Sequence, residues 1–460
     1  MAATEPTTVA PPAAHEGILR RQSLRESAAR TYARSLPIVP VRARGLTIEG
    51  ADGRRYLDCL SGAGTLALGH NHPVVLEAIR KVIDSGAPLH VLDLATPVKD
   101  AFTTELFATL PRELAEDARI QFCGPAGTDA VEAALKLVRT ATGRTGLLAF
   151  TGAYHGMTAA ALDASGGATD VRVTRLPYPY DYRCPFGIGG ERGAELSARW
   201  AENLLDDPKS GVPDPAGMIL EPVQGEGGVI PAPDTWLRRM RQITADRSIP
   251  LIADEVQTGV GRTGAFWAVE HSGVVPDVMV MSKAIGGSLP LAVIVYKSAL
   301  DVWQPGAHAG TFRGNQLAMA AGAATLTFVR ENRLAERAAT LGGRMLGRLQ
   351  GLAATHPCVG DVRGRGLMLG VELVDPDADG PRDGAPPPAP ALAAAVQRAC
   401  LDRGLIVELG GRHSAVVRLL PPLTLTDEQA AAVLDRFADA LTAAQRTRHQ
   451  PLTSDTGPSR

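Results

Sequence analysis

The sequence predicts an α/β protein with a mostly parallel sheet in its larger domain. Short, nearly continuous apolar runs recur through the middle of the chain, and segments with helical spacing separate them. Runs of this kind are typical of strands that are buried on both faces of a sheet. The predicted strands are GLLAF (146–150), GMIL (217–220), PLIA (250–253), DVMVM (277–281) and LAVIVY (291–296).

The segments between these runs, such as DAVEAALKLVRTAT and DTWLRRMRQITADR, have the residue spacing of helices. Strands that alternate with helices along a chain indicate a parallel sheet with helical crossovers. After about residue 330 the order changes to a helix, DVRGRGLMLGVEL, a second helix, GLIVEL and AVVRLLPPL. We therefore expect a smaller α+β domain at this end.

Shifts in composition divide the chain into expected segments. They are a disordered arm (1–17), an N-terminal segment that joins the small domain (18–75), the large domain (76–330), the C-terminal small domain (331–445) and a disordered tail (446–460). Within the small domain, DPDADGPRDGAPPPAP (375–390) is expected to form a surface loop, because it is rich in proline, glycine and aspartate.

The overall composition excludes several classes of protein. The net charge of the 460 residues is −2, so nothing predicts a nucleic-acid or anionic-membrane partner. No run of about 18 apolar residues is present, and the N-terminus lacks the pattern of a signal peptide. The five cysteines are scattered without a CxxC pair, which indicates reduced thiols. We expect a cytoplasmic protein.

Residue types that carry chemistry follow four of the predicted strands. GLLAF leads into TGAYHG, GMIL into EPVQGEGG, PLIA into DEVQTGVGRTG, and DVMVM into SKAIGG. In open α/β sheets, ligands bind beyond the carboxyl ends of the strands. The endings supply the pair Tyr154 and His155, two glutamates including Glu226, then Asp254 and Lys283, with glycines that allow close backbone approach. The sequence therefore predicts one site at this edge of the sheet.

Lys283 and Asp254 are the sharpest candidates for catalysis. A lysine in a partly desolvated pocket has a lowered pKa and forms Schiff bases. The alternative, a surface lysine that extends into solvent, is disfavoured by Asp254 at the end of a neighbouring predicted strand. A buried carboxylate needs a partner, and a protonated pyridine nitrogen is the partner that recurs in pyridoxal-phosphate sites. The alternative for Asp254 is a cap for the following turn.

The segment FCGPAGTDAVEAALKL combines a glycine-containing loop with the start of a helix. Asp129, followed three residues later by Glu132, fits a capping box. Gly127, Thr128 and the exposed amides of the helix N-terminus suit a phosphate group. The alternative is an ordinary capped helix.

Three other patterns are assigned no chemistry. GVGRTG (259–264) matches GxGxxG, but no clear helix start follows it, as a dinucleotide site requires. His70 and His72 have no third ligand nearby and are expected to belong to a turn, so no metal site is predicted. Cys123 is expected to be a small buried residue rather than a nucleophile.

The motifs GPAGTDAVEAALK, YHGMT, EPVQGEGG, ADEVQTGVGRTG, MSKAIGG, GTFRGNQ and RLLPPL together resemble those of the class III pyridoxal-phosphate aminotransferases. The resemblance runs from about Arg25 to Leu441 and implies the PLP-dependent transferase fold type I. Within the class, LSGAGTLALGHNHP, LHVLDLATPVKDAF and PYPYDYRCPFGIGGE are most similar to diaminobutyrate–2-oxoglutarate transaminases.

The resemblance implies pyridoxal 5'-phosphate as the cofactor and a role for each matching residue. Lys283 would carry the cofactor as a Schiff base and later shuttle the proton, and Asp254 would hold the pyridine nitrogen. The other cofactor contacts would be Gly127 and Thr128 at the phosphate, Tyr154 stacked on the ring, His155, Val256 behind the ring, Gln257 at the ring hydroxyl, and Thr311. Thr311 would come from the partner subunit of a homodimer with shared active sites.

For the substrates, the resemblance implies that Arg418 binds a carboxylate and that Glu226 covers this arginine when an amine end is bound. The implied reaction exchanges the 4-amino group of L-2,4-diaminobutyrate with 2-oxoglutarate, giving L-aspartate 4-semialdehyde and L-glutamate reversibly. Many class III enzymes have an arginine at the position of Met157. The residue that anchors the distal carboxylate of 2-oxoglutarate therefore stays unassigned.

Other functions stay open on the sequence. Another ω-aminotransferase would use ornithine, lysine or a polyamine as its donor, and a screen of amine donors separates these. A racemase or aminomutase of the same fold would not consume 2-oxoglutarate. A non-catalytic regulatory protein would need a DNA-binding domain, for which an arm of 17 residues is too short.

Overall fold

The computed structural model describes residues 12–167, 173–378 and 384–449. Its α-helices are α1 (Pro12–Arg25), α2 (Tyr32–Ser35), α3 (Pro73–Asp84), α4 (Pro97–Phe107), α5 (Arg112–Ala115), α6 (Gly127–Thr142), α7 (Ala159–Ser165), α8 (Gly190–Asp206), α9 (Asp234–Asp246), α10 (Gln316–Glu331), α11 (Leu334–Ala353), α12 (Pro390–Asp402) and α13 (Asp427–His449). Short 3₁₀ turns lie at Ala268–Ser272, Lys283–Gly286 and Ser298–Leu300. Among these described helices, none is long and apolar enough to cross a membrane.

The strands fall into three sheets and one short hairpin within the described residues. They are β1 (Pro40–Arg44), β2 (Thr47–Gly50), β3 (Arg55–Asp58), β4 (Ala118–Phe122), β5 (Gly146–Phe150), β6 (Val173–Leu176), β7 (Pro215–Leu220), β8 (Val223–Gln224), β9 (Ile230–Pro231), β10 (Leu251–Asp254), β11 (Val278–Met281), β12 (Val293–Lys297), β13 (Val359–Arg365), β14 (Met368–Leu373), β15 (Leu405–Ile406), β16 (Glu408–Gly410) and β17 (Val416–Leu419).

The central sheet has the strand order β4-β12-β11-β10-β7-β5-β6. Its neighbours pair in parallel, except that β12 runs antiparallel to both β11 and β4. The five predicted strands are present, each within two residues of its predicted bounds, and the mostly parallel sheet is confirmed. The sequence does not predict β4 and β6, because their middle residues are partly exposed and interrupt the apolar pattern.

Helices cover both faces of the central sheet. Leu147 and Ala149 of β5 share a buried cluster with α6, whereas Leu148 and Phe150 share another with α8 and α9. Since both faces are filled, a ligand reaches this sheet only at its edges. The carboxyl ends of β5, β7, β10 and β11 meet at one such edge.

The C-terminal part of the chain forms the α+β unit that the sequence predicts. Strands β13, β14, β17 and β16 make an antiparallel sheet, against which α11 and α12 pack. Strands β1 to β3 form a smaller sheet together with β15, which pairs in parallel with β3. The N-terminal segment and the C-terminal part of the chain therefore share a sheet.

The predicted disordered segments differ from the structure at their inner ends. Residues 1–11 and 450–460 lie outside the described residues, but 12–17 begin α1 and 446–449 complete α13. Proline is tolerated in the first turn of a helix and alanine has the highest helix propensity, so the sequence PAA at the start of α1 is compatible with a helix.

The predicted surface loop at 375–390 is closed at its base. Val374 and Pro388 form an isolated antiparallel bridge, and the amide of Asp375 donates to the carbonyl of Pro387 at 2.9 Å. Residues 379–383 lie outside the described part of this loop.

Gly322 lies where α10 packs against the 3₁₀ turn that begins with Lys283. A Cβ atom at Gly322 would lie far inside van der Waals contact of the carbonyl oxygen of Ile285, and 3.0 Å from the ring of Phe102. We expect Gly322→Ala to lower the free energy of unfolding by about 1–3 kcal/mol, because overpacking outweighs the helix propensity of alanine. Urea denaturation measures the change.

Gly347→Ala is the matched control for this substitution. Gly347 is exposed on α11, and a Cβ atom there would have no neighbour within 4 Å. The free energy of unfolding of this variant is expected to rise by about 0.5–1 kcal/mol, because alanine loses less backbone entropy than glycine on folding. Equal gains for the two variants would contradict the close contact at Gly322.

Candidate active site

One cavity of about 260 Å³ lies at the carboxyl ends of the parallel strands. It brings together nine residues that were singled out from the sequence: Gly127, Thr128, Tyr154, His155, Glu226, Asp254, Val256, Gln257 and Lys283. The rest of its lining is Ala126, Gly156, Met157, Glu221 and Thr258. Two predicted site residues do not line it: Arg418 contacts Glu226, and Thr311 lines a second cavity.

Asp254 ends β10 with its carboxylate buried between two donors. Nδ1 of His155 donates to Oδ2 at 2.7 Å, and the amide of Val256 donates to Oδ1 at 3.1 Å. Burial alone lowers the pKa of His155, but the hydrogen bond and the charge of Asp254 outweigh it, and the pKa is raised overall. The pair therefore presents a held carboxylate to the cavity, which suits a cationic ring nitrogen.

Lys283 follows β11 and opens the 3₁₀ turn with a φ of 52°. This left-handed conformation is strained for a residue other than glycine, and strain of this kind clusters at functional sites. Burial lowers the pKa of Lys283, and the nearby carboxylate of Glu226 offsets only part of that effect. A lowered pKa increases the fraction of neutral, nucleophilic amine at neutral pH.

The loop before α6 is built differently from the predicted capping box. The helix begins at Gly127 with Ala126 as its N-cap, and Asp129 accepts the amide of Ala126 at 3.0 Å. Glu132 instead accepts two amides at the start of α7. The predicted capping box of Asp129 and Glu132 is therefore wrong. An aspartate in the first turn reaches back to the N-cap amide, and the sequence pattern does not distinguish it from an N-cap residue.

The N-terminus of α6 still meets the cavity, through Gly127 and Thr128. The first amides of a helix have no intrahelical acceptor and suit an anion. A Cβ atom at Gly127 would lie 2.9 Å from Cγ1 of Val256, so glycine allows the helix to approach this side chain. Nearby, Gln257 donates to the carbonyl of Ala63 at 3.1 Å, while its buried amide oxygen has no hydrogen-bond partner among the described residues.

Glu221 is a cavity residue to which sequence reasoning assigned no role. It follows β7, is buried, and accepts the amides of Tyr154 and Gly225, each at 2.9 Å. Burial raises the pKa of Glu221 to about 7. Its position directly after the GMIL run was the available signal. Glu221 holds the loop that carries Tyr154 against the loop that carries Glu226.

Arg418 is fully buried on β17 and contacts two carboxylates through one nitrogen. Its Nη2 lies 2.7 Å from Oε1 of Glu226 and 2.7 Å from Oε2 of Glu408. The sequence suggests the first partner but not the second, because Glu408 lies within the apolar strand pattern GLIVEL. The hydroxyl of Tyr32 donates to Oε1 of Glu408 at 2.9 Å. Burial raises the pKa of Glu408, and the charge of Arg418 opposes that rise.

Thr311 lines a second cavity beside the loop that precedes α6. His90 contacts the carbonyl oxygen of Thr311 at 3.1 Å, and Gly124 and Pro125 of the loop line the same cavity. Exposed apolar side chains surround this region: Leu89, Leu92, Leu94 and Phe312. A group of exposed apolar residues is typical of a surface that another chain covers.

The patterns without assigned chemistry lie among structural contacts. GVGRTG forms turns that lead to a 3₁₀ turn rather than an α-helix. His70 is hydrogen-bonded to Asp58 at 2.8 Å, and His72 precedes the proline that starts α3. Cys123 is buried, and burial raises the pKa of its thiol to about 12, opposite to the shift of a reactive thiolate.

The cavity therefore combines four functions within reach of one ligand. It offers an amine nucleophile with a lowered pKa, a held carboxylate for a cationic nitrogen, helix amides for an anion, and a glutamate that covers a buried guanidinium. This set suits a phosphate-bearing aromatic aldehyde together with a substrate that carries a carboxylate.

Comparison with known proteins identifies the family. A family model for class-III aminotransferases matches residues 28–441. The diaminobutyrate–2-oxoglutarate aminotransferase of Rhizobium meliloti is 55% identical over 434 residues, 93% of this chain and 92% of that protein. The enzyme of the same name from Haemophilus influenzae is 47% identical over 437 residues, 93% of this chain and 96% of that protein.

Solved structures agree with these relatives. An amine transaminase from an uncultivated Pseudomonas species, in its PLP-bound form, is 29% identical with a TM-score of 0.81, and the match covers 91% of this chain and 97% of that one. The chain belongs to the class III aminotransferase family and has the fold type I architecture that its motifs predict.

Proposed function

We propose that this enzyme transfers the terminal amino group of L-2,4-diaminobutyrate to 2-oxoglutarate with the help of pyridoxal 5'-phosphate. The products are L-aspartate 4-semialdehyde and L-glutamate, and the reaction is reversible. The observation that carries the proposal is the single cavity in which Lys283 and the Asp254–His155 pair face Glu226, the cover of Arg418. The names of the two relatives above support the choice of substrates.

The residues of the cavity fit this cofactor at each of its polar groups. The amides at the start of α6 suit its phosphate, and the held carboxylate of Asp254 suits its protonated pyridine nitrogen. The buried amide oxygen of Gln257, which has no partner among the described residues, is an acceptor for the ring hydroxyl. Tyr154 and Val256, both in the lining, are the apolar surfaces for the two faces of the ring.

The chain contributes binding, orientation and proton transfer. The bound cofactor would supply the electron sink for the carbanion formed at the reacting carbon. Lys283, with its lowered pKa, takes the proton from that carbon at Nζ and would pass it to the aldehyde-derived carbon of the cofactor, because return to the same carbon gives no amino transfer. Asp254 holds the proton of the ring nitrogen, and the hydrogen bond from His155 keeps the carboxylate in place. Glu221 fixes the backbone of Tyr154 at the mouth of the cavity.

Removal of the lysine tests the proposed reaction. Purified wild-type enzyme is expected to be yellow and to form glutamate from diaminobutyrate and 2-oxoglutarate. We expect Lys283→Ala to lose turnover by more than the roughly 10²–10⁴-fold that a positioned general base contributes, because the attachment of the cofactor is lost as well. Product analysis, with ornithine, lysine and a polyamine as competing donors, makes the measurement.

The control is Lys81→Ala, which removes an exposed lysine of α3 and is expected to keep wild-type activity. Near-normal turnover of Lys283→Ala would show that another residue is the nucleophile. If the wild type clearly preferred one of the competing donors, that donor would be the substrate in place of diaminobutyrate.

We further propose a homodimer with shared active sites. Thr311 and the exposed apolar residues around it lie beside the loop that leads into α6, the proposed phosphate site. A second copy that covers this surface would bring its own Thr311 toward the phosphate site of the first.

The cytoplasmic location expected from the cysteine pattern stays a prediction.

Subunit mixing tests the shared site. If each site uses Lys283 from one chain and Thr311 from the other, a heterodimer of Lys283→Ala and Thr311→Ala subunits has one doubly altered site and one intact site. Activity of the mixture is therefore expected to exceed the average of its two parents. We would measure it after co-refolding or co-expression, with each parent mixed with itself as the control. A mixture no more active than the average of its parents would contradict sharing.

Arg418 and Glu226 are proposed to let one cavity accept both substrates. The reacting carbon of glutamate bears a carboxylate, which Arg418 binds when Glu226 turns away. The reacting end of diaminobutyrate bears only an amine, and then Glu226 stays on Arg418, since an unpaired buried guanidinium is costly. The side chain of Glu226 is 31% exposed and that of Arg418 is 0% exposed, so the glutamate is the partner that is free to move.

Single-turnover rates of the two half-reactions test this exchange. We expect Arg418→Gln to slow the glutamate half-reaction by roughly 10–100-fold, the size of a lost charged hydrogen bond, and to affect diaminobutyrate less. Glu226→Gln is expected to slow the diaminobutyrate half-reaction and to spare or improve the glutamate one. Equal losses of rate in both half-reactions for both variants would show that Arg418 and Glu226 form only a structural ion pair.

A further inference from the structure

Arg418 has a second carboxylate partner, Glu408, that is more deeply buried than Glu226. Both acids lie 2.7 Å from the same Nη2 atom. The side chain of Glu226 is 31% exposed and lines the cavity, whereas that of Glu408 is 8% exposed and does not line it. One partner is placed to leave Arg418, and the other is not.

Three features fix Glu408 against Arg418. The two residues lie directly opposite each other on the antiparallel strands β16 and β17. The hydroxyl of Tyr32 occupies the other carboxylate oxygen of Glu408 at 2.9 Å. Burial removes water as a competing partner, so the ion pair is screened little. Glu226, by contrast, is held through its main chain, whose carbonyl accepts the amide of Gly411 at 2.8 Å, while its partly exposed side chain accepts a hydrogen bond from Nη2 of Arg418 at 2.7 Å.

The guanidinium keeps free donors despite its two partners. Nε and Nη1 of Arg418 are buried and have no hydrogen-bond partner among the described residues. Arginine–carboxylate pairs frequently use two parallel hydrogen bonds, and Arg418 does not form such a fork with either acid. The backbone of Gly410 packs closely against this side chain, because a Cβ atom there would lie 2.6 Å from Nε. Unused buried donors point to a carboxylate ligand that binds when Glu226 departs.

Counting charges shows what Glu408 adds. With Glu226 in place, Arg418 and its two acids have a net charge of −1; with Glu226 turned away, Arg418 and Glu408 are neutral. An ammonium end thus approaches a negative cluster, whereas a carboxylate end meets a guanidinium whose charge is already balanced. The charge of Glu408 extends to the reacting centre, since it also acts on the pKa of Lys283, which burial lowers and these carboxylates partly restore.

We propose that Glu408 is a specificity-determining residue: it is the permanent counter-charge of Arg418 and favours amine-ended over carboxylate-ended substrates. The inference rests on the proposed exchange between Arg418 and Glu226. In this proposal Glu226 turns away so that Arg418 can bind a carboxylate. Glu408 stays in place and sets the preference between the two classes of substrate.

The test is Glu408→Gln in the holoenzyme, with single-turnover kinetics for each half-reaction. Glutamine keeps the shape of the side chain, and the hydroxyl of Tyr32 can accept as well as donate. We expect the apparent affinity for glutamate to rise and that for diaminobutyrate to fall, so that their ratio shifts by roughly tenfold, as the loss of one buried counter-charge 2.7 Å from Nη2 of Arg418 would produce. Maximal rates should change less than this ratio, because Glu408 does not touch the reacting atoms and acts on Lys283 only through its charge.

A structural role for Glu408 predicts a different result. Damage to the fold would lower the affinity for both substrates together. That outcome, or an unchanged ratio of the two affinities, would overturn the proposal. The matched control is Glu202→Gln, which removes the carboxylate of a surface ion pair with Arg239 and should leave the ratio at its wild-type value.

The result is separable from the choice of substrate. If the wild type fails to convert diaminobutyrate, the proposed substrate is wrong. The ratio is then measured with whichever terminal diamine the wild type accepts, because the argument requires only an ammonium at the reacting end. An opposite shift for the amine and for glutamate supports Glu408 in either case, and a parallel loss refutes it.

Discussion

The buried carboxylate of Asp254 is the constraint on which the rest of the site depends. A buried charge costs several kcal/mol unless it is partnered, and the partners of Asp254 come from a different strand end and from the turn that follows β10. His155 follows β5, which is separated from β10 by β7. The pairing therefore requires these three strands to end at the same level, and the same alignment brings Glu221, after β7, under Tyr154.

Much of the fold was predictable because its central strands are buried on both faces. In β5, β7, β10 and β11 burial leaves no polar interruption, so the apolar runs mark the strands closely. The direction of β12 was not predictable, since an antiparallel strand in the middle of a covered sheet has the same composition as a parallel one. The helix over 12–17 was missed because composition alone does not separate a proline-bearing helix start from an unstructured arm.

Some features of the site were predictable from the sequence and others were not. That Lys283 and Asp254 lie in one cavity was predictable, because both lie at the ends of recognisable strands, and strand ends in such sheets converge on one place. The contact of Glu408 with Arg418 was not predictable. It depends on the register in which β16 pairs with β17, and the sequence does not specify this register. The misplaced capping box has a comparable cause: the partner of Glu132 is the start of α7, which is distant in sequence and near in space.

The anchored main chain of Glu226 has a consequence for time scales. Because the amide of Gly411 holds its carbonyl, the proposed exchange at Arg418 would require rotation of a single side chain. Side-chain rotations of exposed residues take picoseconds to nanoseconds, whereas typical enzyme turnover takes about a millisecond to a second. Even an ion pair that slowed the rotation a thousandfold, to roughly microseconds, would leave the exchange faster than the chemistry it serves. Alternation between two substrate classes would then add no slow step to the catalytic cycle.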